Sequence, residues 1–514
     1  MAETLESGSS LSSSSSNDDD DIQVGSNLRK TLVAEVRKQR PIALPLMLMN
    51  LTWFAKIAIT TGFLGRLGGF QLAAGTLAFT LANVTGFSVL SGLSGAMEPI
   101  CGQAYGAGNH KLLHKTLLMA TLLLLLASLP ISLLWFHIDK ILIRFGQQEI
   151  ISTAARSYAI HLIPDLGVTS LLCPLKTYLG AQGVTVPIMF SSALGLVFHV
   201  PLNILLSKAK GLEGIAMAVW ITDLFVAILL GTYVWVRERG EGKEGGWWEV
   251  WGVQDWVPLL KLCGPCCLTT CLEWWCYEIL VLLAGRMADP KRAVSVLAIV
   301  LNFDYLLYSV MLSLATSVST RVSNELGANR ARVARGSAFI SLGVSVLVGF
   351  AGGAVMVAGR GPWASLYSQD EGIVRGVKKT MLLMAVVEVI NFPLAVCGGI
   401  VRGTARPCLA MYANIGGFYL LALPMGVVLA FSKKLGVRGL LLGFLSGMVA
   451  CAVLLVVMVL RIDWVAEAGK AQKLASGRQN GGEDAETELV ADDQDNNNDE
   501  KKMKKTQQIL SVQR

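Results

Sequence analysis

Apolar stretches of about twenty residues recur about twelve times along this chain, and each can cross roughly 30 Å of hydrocarbon as a helix. They fall near 41–64, 71–97, 112–136, 150–179, 187–207, 212–237, 257–286, 293–320, 333–358, 375–401, 408–431 and 437–461. Lipid supplies no hydrogen-bond partners, so the backbone of each stretch must satisfy itself, which dictates helices. The period-two alternation of a membrane β-barrel is absent. Charge is scarce as well: 53% of the 514 residues are hydrophobic and 16% charged, against about 25% charged in a soluble domain. The expected fold is an all-α polytopic membrane protein with twelve transmembrane helices.

The chain also repeats itself. Gly106-Ala107, Gly183 with Pro187, and Gly211 with Gly214 find partners roughly 220 residues later, in Gly327-Ala328, Gly403 with Pro407, and Gly436 with Gly439. Shared spacing of residues that turn the backbone or admit close approach implies shared geometry. A period this long means two copies of a whole lobe. Six helices per copy give both the same orientation, so the expectation is two pseudo-symmetric six-helix bundles about an axis along the membrane normal, built around a central cavity. The lobes are placed at 41–245 and 246–466. The junction 238–256 carries Trp247, Trp248, Trp251 and Trp256 and is expected to form an interfacial helix.

Both ends are polar. Residues 1–40 hold Ser12–Ser16 and Asp18–Asp21 before a basic run that includes Arg29, Lys30, Arg37, Lys38 and Arg40; residues 467–514 are acidic and then basic at Lys501, Lys502, Lys504 and Lys505. Neither can bury a core, and both are expected to be disordered tails. No apolar segment lies near the start, which argues against a cleaved signal peptide. An even number of crossings puts both tails on one side, and the basic run before the first helix makes that side cytoplasmic. The net charge of +7 is membrane-flanking charge, with no basic patch interleaved with aromatics that would bind nucleic acid. Cys263, Cys266, Cys267, Cys271 and Cys276 cluster in the seventh apolar segment, where small packing residues explain them better than a metal or redox site.

A charge at bilayer depth is expensive and calls for a reason. In the second lobe these are Glu273 and Glu278 in the seventh segment, Asp304 near the start of the eighth, and Glu388 inside the tenth with Asn391 one turn on. Residues five apart differ by about 140° around a helix, so Glu273 and Glu278 can only flank a broad face. Burial and like-charge repulsion favour protonated carboxyls, and the group is expected to bind and release protons. Trp274 and Trp275 are candidate cavity walls for a cationic or aromatic substrate, with Tyr308 and Asn302 as further lining. The first lobe offers Lys56, Glu98, His161, Asp165, Lys176, His199, Asn203 and Asp223; Lys56 is expected to pair with Asp223 or Glu98, Glu98 and Lys176 to lie near helix ends, and the histidines to be core residues. No P-loop, HExxH or nucleophile elbow is present, so catalysis has no support.

Four motifs carry a resemblance: Glu98-Pro99-Ile100-Cys101-Gly102-Gln103-Ala104-Tyr105-Gly106-Ala107, the run Cys271 to Glu278, Ser319-Thr320-Arg321-Val322-Ser323-Asn324-Glu325-Leu326-Gly327-Ala328, and Val401-Arg402-Gly403-Thr404-Ala405-Arg406-Pro407. Over about 41–465 the chain resembles plant multidrug and toxic compound extrusion (MATE) transporters. That resemblance implies the twelve-helix fold, an inward/outward rocking motion and cation-driven export, with Glu273 and Glu278 in coupling and substrate binding. Where the family often places an acid, this chain has Asn391, and the acid is Glu388. This Glu-x-x-Asn pattern is similar to the branch of activated-disease-susceptibility and high-carbon-dioxide-response members. The expectation is a monomeric proton-coupled antiporter of small organic molecules in the lipid bilayer of the plasma membrane or an endosomal or vacuolar membrane, with the proton as coupling ion and no other cofactor. The alternatives are a sodium-coupled antiporter, or a membrane-embedded sensor or scaffold that signals through its tails to a kinase or other regulatory partner.

Overall fold

The structure is a computed structural model that describes residues 15–240 and 252–476, with side chains from residue 30 onward apart from 253 and 254. Among the described residues every regular element is a helix. In chain order α1 spans Ser15–Leu67, α2 Gly69–Gly106, α3 His110–Phe136, α4 Ile138–Arg144, α5 Glu149–Ala181 and α6 Val186–Gly240. The second half holds α7 Val253–Ala284, α8 Pro290–Gly327, α9 Ala331–Tyr367, α10 Glu371–Gly403, α11 Pro407–Ser432, α12 Val437–Leu460 and α13 Trp464–Ala475. Eleven of these are long and apolar enough to cross a membrane. The 55 residues of α6 would reach about 80 Å at 1.5 Å per residue, far more than one bilayer. Gly211, at φ 58° and ψ −125°, breaks it into two crossings and brings the total to twelve.

The repeated glycines do matching work. Gly436, at φ 59°, opens α12 as Gly211 opens the second part of α6. Three residues on, Gly214 lies against the backbone of Leu206 and Gly439 against that of Ala430. One expected pairing shifts. The left-handed counterpart of Gly183 (φ 72°) is Ala405 (φ 57°), while Gly403 is helical and lets α10 lie against α8, where a Cβ would stand 2.8 Å from the Ser319 carbonyl oxygen.

Apolar burial is divided between the halves. One continuous core joins residues of α7 through α13, among them Leu297, Met384, Phe444 and Trp464. In the first half, one core gathers Leu90, Trp135 and Tyr158, and a second gathers Leu113, Leu179 and Leu230 together with Cys263 and Cys266 of α7. The cysteines of α7 pack as small apolar residues, with the backbone of Cys267 against Gly92. The two halves also meet where α2 and α8 end, on the side of the chain termini. Here Gly327 sits on the backbone of Gln103, and Gly106 on that of Asn324 and Ala328. These contacts are mirror images, since Gln103 precedes Gly106 as Asn324 precedes Gly327.

Both tails differ from expectation near the membrane. Residues 30–40 are helical rather than disordered, because their polar groups have partners in the other half. Glu35 is buried and bonds Arg321 at 3.1 Å, and the Gln39 amide donates to Ser341 Oγ at 2.7 Å. Just beyond, Pro45 cannot donate to the Pro41 carbonyl four residues back, and the Thr185 hydroxyl donates to it instead at 3.0 Å. At the other end, residues 467–475 belong to α13. Glu467 pairs with Arg406, the Gln472 amide donates to the Gly327 carbonyl, and Asn109 of the first half donates to the Ala475 carbonyl at 2.7 Å. The proposed junction helix is only partly described. Residues 238–240 end α6, Trp256 packs with the first-half core from within α7, and Trp247, Trp248 and Trp251 lie outside the described residues.

Candidate functional site

Two neighbouring cavities that share part of their lining run between the halves. The larger, of about 310 Å³, is lined by α1, α2 and α5 on one side and α7, α8 and α10 on the other. The second, of about 230 Å³, reaches into the first half toward Lys56, Asp165 and Asp223. Asn50, Lys176, Trp274 and Tyr308 line both. Most of the surface is apolar or aromatic, with a few charged and amide groups between, the usual character of a small-molecule site.

The charges sort into three sets. Lys56 on α1 holds Asp223 on α6 at 2.6 Å, as the first of the two expected partners. The other, Glu98 on α2, instead faces Arg402 on α10 across the interface at 3.4 Å. Deep in the second half, Asp304 on α8 and Glu388 on α10 are both buried. Both Glu388 oxygens and one Asp304 oxygen find no donor. The third set is uncommitted. Lys176 and Glu273 line the larger cavity, and among the described residues neither has a hydrogen-bond or ion-pair partner.

The sequence-predicted residues therefore divide. Glu273, Trp274, Tyr308 and Asn391 line the larger cavity, and the Trp274 indole N–H donates to the Tyr308 hydroxyl at 3.2 Å. Lys56 and Asp223 line the second. Glu388 and Asp304 stand behind the wall, and Asp304 lies about four turns into α8, not near its start as expected. Glu278 lines neither cavity and lies near Tyr305. Trp275 is turned to α2, where its indole N–H donates to the Val84 carbonyl at 3.0 Å. Asn302 caps the Ala298 carbonyl of its own helix at 3.0 Å and does not line a cavity. Asn203 is buried against the His199 carbonyl at 2.8 Å, and His199 is a core residue bridging Thr60 and Thr222. The cavity roles of Lys176, Glu98 and Arg402 were not legible. The signal available was the spacing of Asp165 and Lys176, eleven residues apart and so on one face of a helix.

The MatE family profile matches residues 45–205 and 265–428. The chain belongs to the MATE family. Members of this family are transporters rather than enzymes. Protein DETOXIFICATION 56 of Arabidopsis thaliana is 58% identical over 88% of this chain and 93% of its own length. Protein DETOXIFICATION 51 of the same plant is 39% identical over 88% and 85%. Among solved structures, the eukaryotic MATE transporter AtDTX14 superposes with a TM-score of 0.81 at 30% identity, over 87% of this chain and all of that one. The Vibrio cholerae MATE transporter VcmN shares the fold at 16% identity, with a TM-score of 0.74 over 87% and 99%. The chain is thus a multi-pass integral membrane protein of the MATE fold.

Within that fold the Lys56–Asp223 pair joins α1 to α6. Lys56→Met leaves Asp223 without its ion-pair partner in a largely buried pocket that also holds Asp165 and Lys176, which costs about 3 kcal/mol. A thermal melt of the purified protein should fall accordingly, and Lys56→Met combined with Asp223→Asn should recover most of the loss.

Proposed function

We propose that this MATE protein is a proton-coupled antiporter that exports small organic molecules by alternating access, with both tails cytoplasmic, in the plasma membrane or an endosomal or vacuolar membrane. The observation that carries this reading is an unpaired carboxyl, Glu273, in a cavity walled by both halves. Such a group can hold either a proton or a cationic part of a substrate. Loading with a proton from the acidic side displaces the substrate, and loss of that proton toward the cytoplasm restores binding. Exchange becomes transport because the two access states bind these ligands differently. The seam of α2, α8 and α13 supports a state closed toward the termini.

The test is flux through reconstituted protein under an imposed proton gradient, a sodium gradient, or neither. The proton gradient alone should accelerate flux about tenfold, within the usual range of coupling free energies. Glu273→Gln should return it to the undriven rate. Full gradient-driven flux in that variant, or acceleration by sodium alone, would overturn the reading.

A further inference from the structure

Helix α13 packs on α2 of the first half and on α8 and α9 of the second, and it is tied to the two halves by different turns. Its earlier turns belong to the second half. Trp464 packs edge-on against Phe339 of α9 with ring centroids 6.5 Å apart, Glu467 pairs with Arg406, and the Gln472 amide donates to the Gly327 carbonyl of α8. Its last turn holds the first half. Leu474 packs on the core that contains Leu113 and Leu179, and the Ala475 carbonyl accepts from the Asn109 amide at 2.7 Å. The helix stops at Ser476, which is exposed and whose hydroxyl donates to the Lys473 carbonyl at 3.0 Å.

A charge added at this end has unusual leverage. The last carbonyls of a helix form its negative pole, so an anion there is unfavourable. Helix ends also fray, which gives an enzyme access to the backbone around Ser476. Lys473 stands three residues before Ser476, the kind of charge pattern by which kinases select a serine. We propose that Ser476 is a phosphorylation site and that its phosphate undoes the clasp that α13 makes across the seam. This rests on the reading that both tails are cytoplasmic, and it adds regulation to the transport reading. A protein kinase supplies the group. The bond between Ser476 Oγ and phosphorus forms as the bond from the γ-phosphorus to the bridging oxygen of a nucleoside triphosphate breaks. The nucleoside diphosphate leaves, and the hydroxyl proton passes to the general base of the kinase. The product carries about two negative charges and no longer donates to the Lys473 carbonyl. It repels the carbonyls of the last turn, and the exposed Lys473 offsets little of this. As that turn unwinds, Leu474 and the Ala475 carbonyl release the first half, and the terminus side of the cavity is free to open.

The test uses the full chain with phosphoserine encoded at position 476, reconstituted beside the unmodified chain. Labelling of Cys173, which lines both cavities, by a membrane-impermeant thiol reagent from the terminus side is followed by peptide mass spectrometry. The phosphorylated chain should label about tenfold faster, the value of one lost hydrogen bond and one unfavourable helix-end charge together. Asn109→Asp keeps an oxygen that accepts from the Leu112 N–H but has no donor for Ala475. It should speed labelling about fivefold by itself, and phosphoserine should add little to it. The unmodified chain is also offered magnesium ATP and a kinase that selects a basic residue at this spacing and modifies the free peptide 470–482. Phosphate should enter the folded chain at Ser476 and fall in Lys473→Ala, and Ser476→Ala should keep Cys173 protected after the same treatment. Equal or slower labelling of the phosphorylated chain would overturn the proposal, the slower case meaning that the phosphate tightens α13 against the start of α3. So would a kinase that modifies the peptide and not the chain, or phosphoserine acting in full on Asn109→Asp. Failure of the transport reading is separate: labelling then responds to phosphorylation while flux responds to neither gradient.

Discussion

Leucine in place of Gly327 is expected to cut transport about 30-fold and to open the terminus side of the cavity. A Cβ at this position would stand 2.7 Å from both the Cα and the carbonyl carbon of Gln103, and its nearest neighbour is the Gln103 carbonyl oxygen. These are backbone atoms of a helix, so they cannot rotate away as a side chain would. The strain of a larger side chain, about 2 kcal/mol, falls only on the state in which the halves touch here. That bias corresponds to about a 30-fold shift between two states. The same change at Gly106 meets the backbone of Asn324 and Ala328 and should have a similar effect. The double variant should add little, because the seam is already open. Cys173, which lines both cavities, provides the second readout. Its labelling by a membrane-impermeant thiol reagent from the terminus side should rise along with the loss of flux. A variant that transports normally with Cys173 still protected would show that this closure takes no part in the cycle.

Glu388→Gln is expected to act in opposite directions on stability and on transport. Glu388 and Asp304 put two carboxyls into the buried interior of the second half, on the packed helices α10 and α8, with oxygen atoms that lack donors. A glutamine at this position is neutral without borrowing a proton, so the fold should gain about 1 kcal/mol, visible as a raised melting temperature. The same change removes a group able to hold a proton. Gradient-driven flux should fall about 100-fold, near the upper end of ordinary coupling energies, while undriven exchange persists. Stability that falls with flux would instead make the pair a structural contact. Stability and activity moving apart is what a strained functional site produces.

The crossings were legible because lipid imposes one solution on an apolar run, and a run shows in local sequence. Gly211 and Gly436 were legible as punctuation for the same local reason. What the sequence left hidden is long-range pairing. Glu35 lies in a charged stretch that reads as a solvated tail, yet its partner Arg321 is 286 residues away. Glu98 looked like a group near a helix end until Arg402 was brought opposite it. Helix geometry did foretell that Glu273 and Glu278 could not share a narrow face, but it could not say which of them faces the cavity. Asn302 and Trp275 carry the right chemistry for lining, and their rotation about α8 and α7 directs them elsewhere. That rotation is fixed by packing against neighbouring helices, which a single sequence does not record.

The first helix has divided loyalties. Up to Asn50 it is fastened to α8 and α9, and from Lys56 onward it is fastened to α6. Pro41 and Pro45 fall within the stretch fastened to the second half, where the Thr185 hydroxyl takes the place of a missing amide. A rod anchored in both bodies would resist any swing of one against the other. In this one the changeover falls between Asn50 and Lys56, so a swing of one half against the other has to be taken up by the Asn50–Ser313 bond or by the short stretch that follows it.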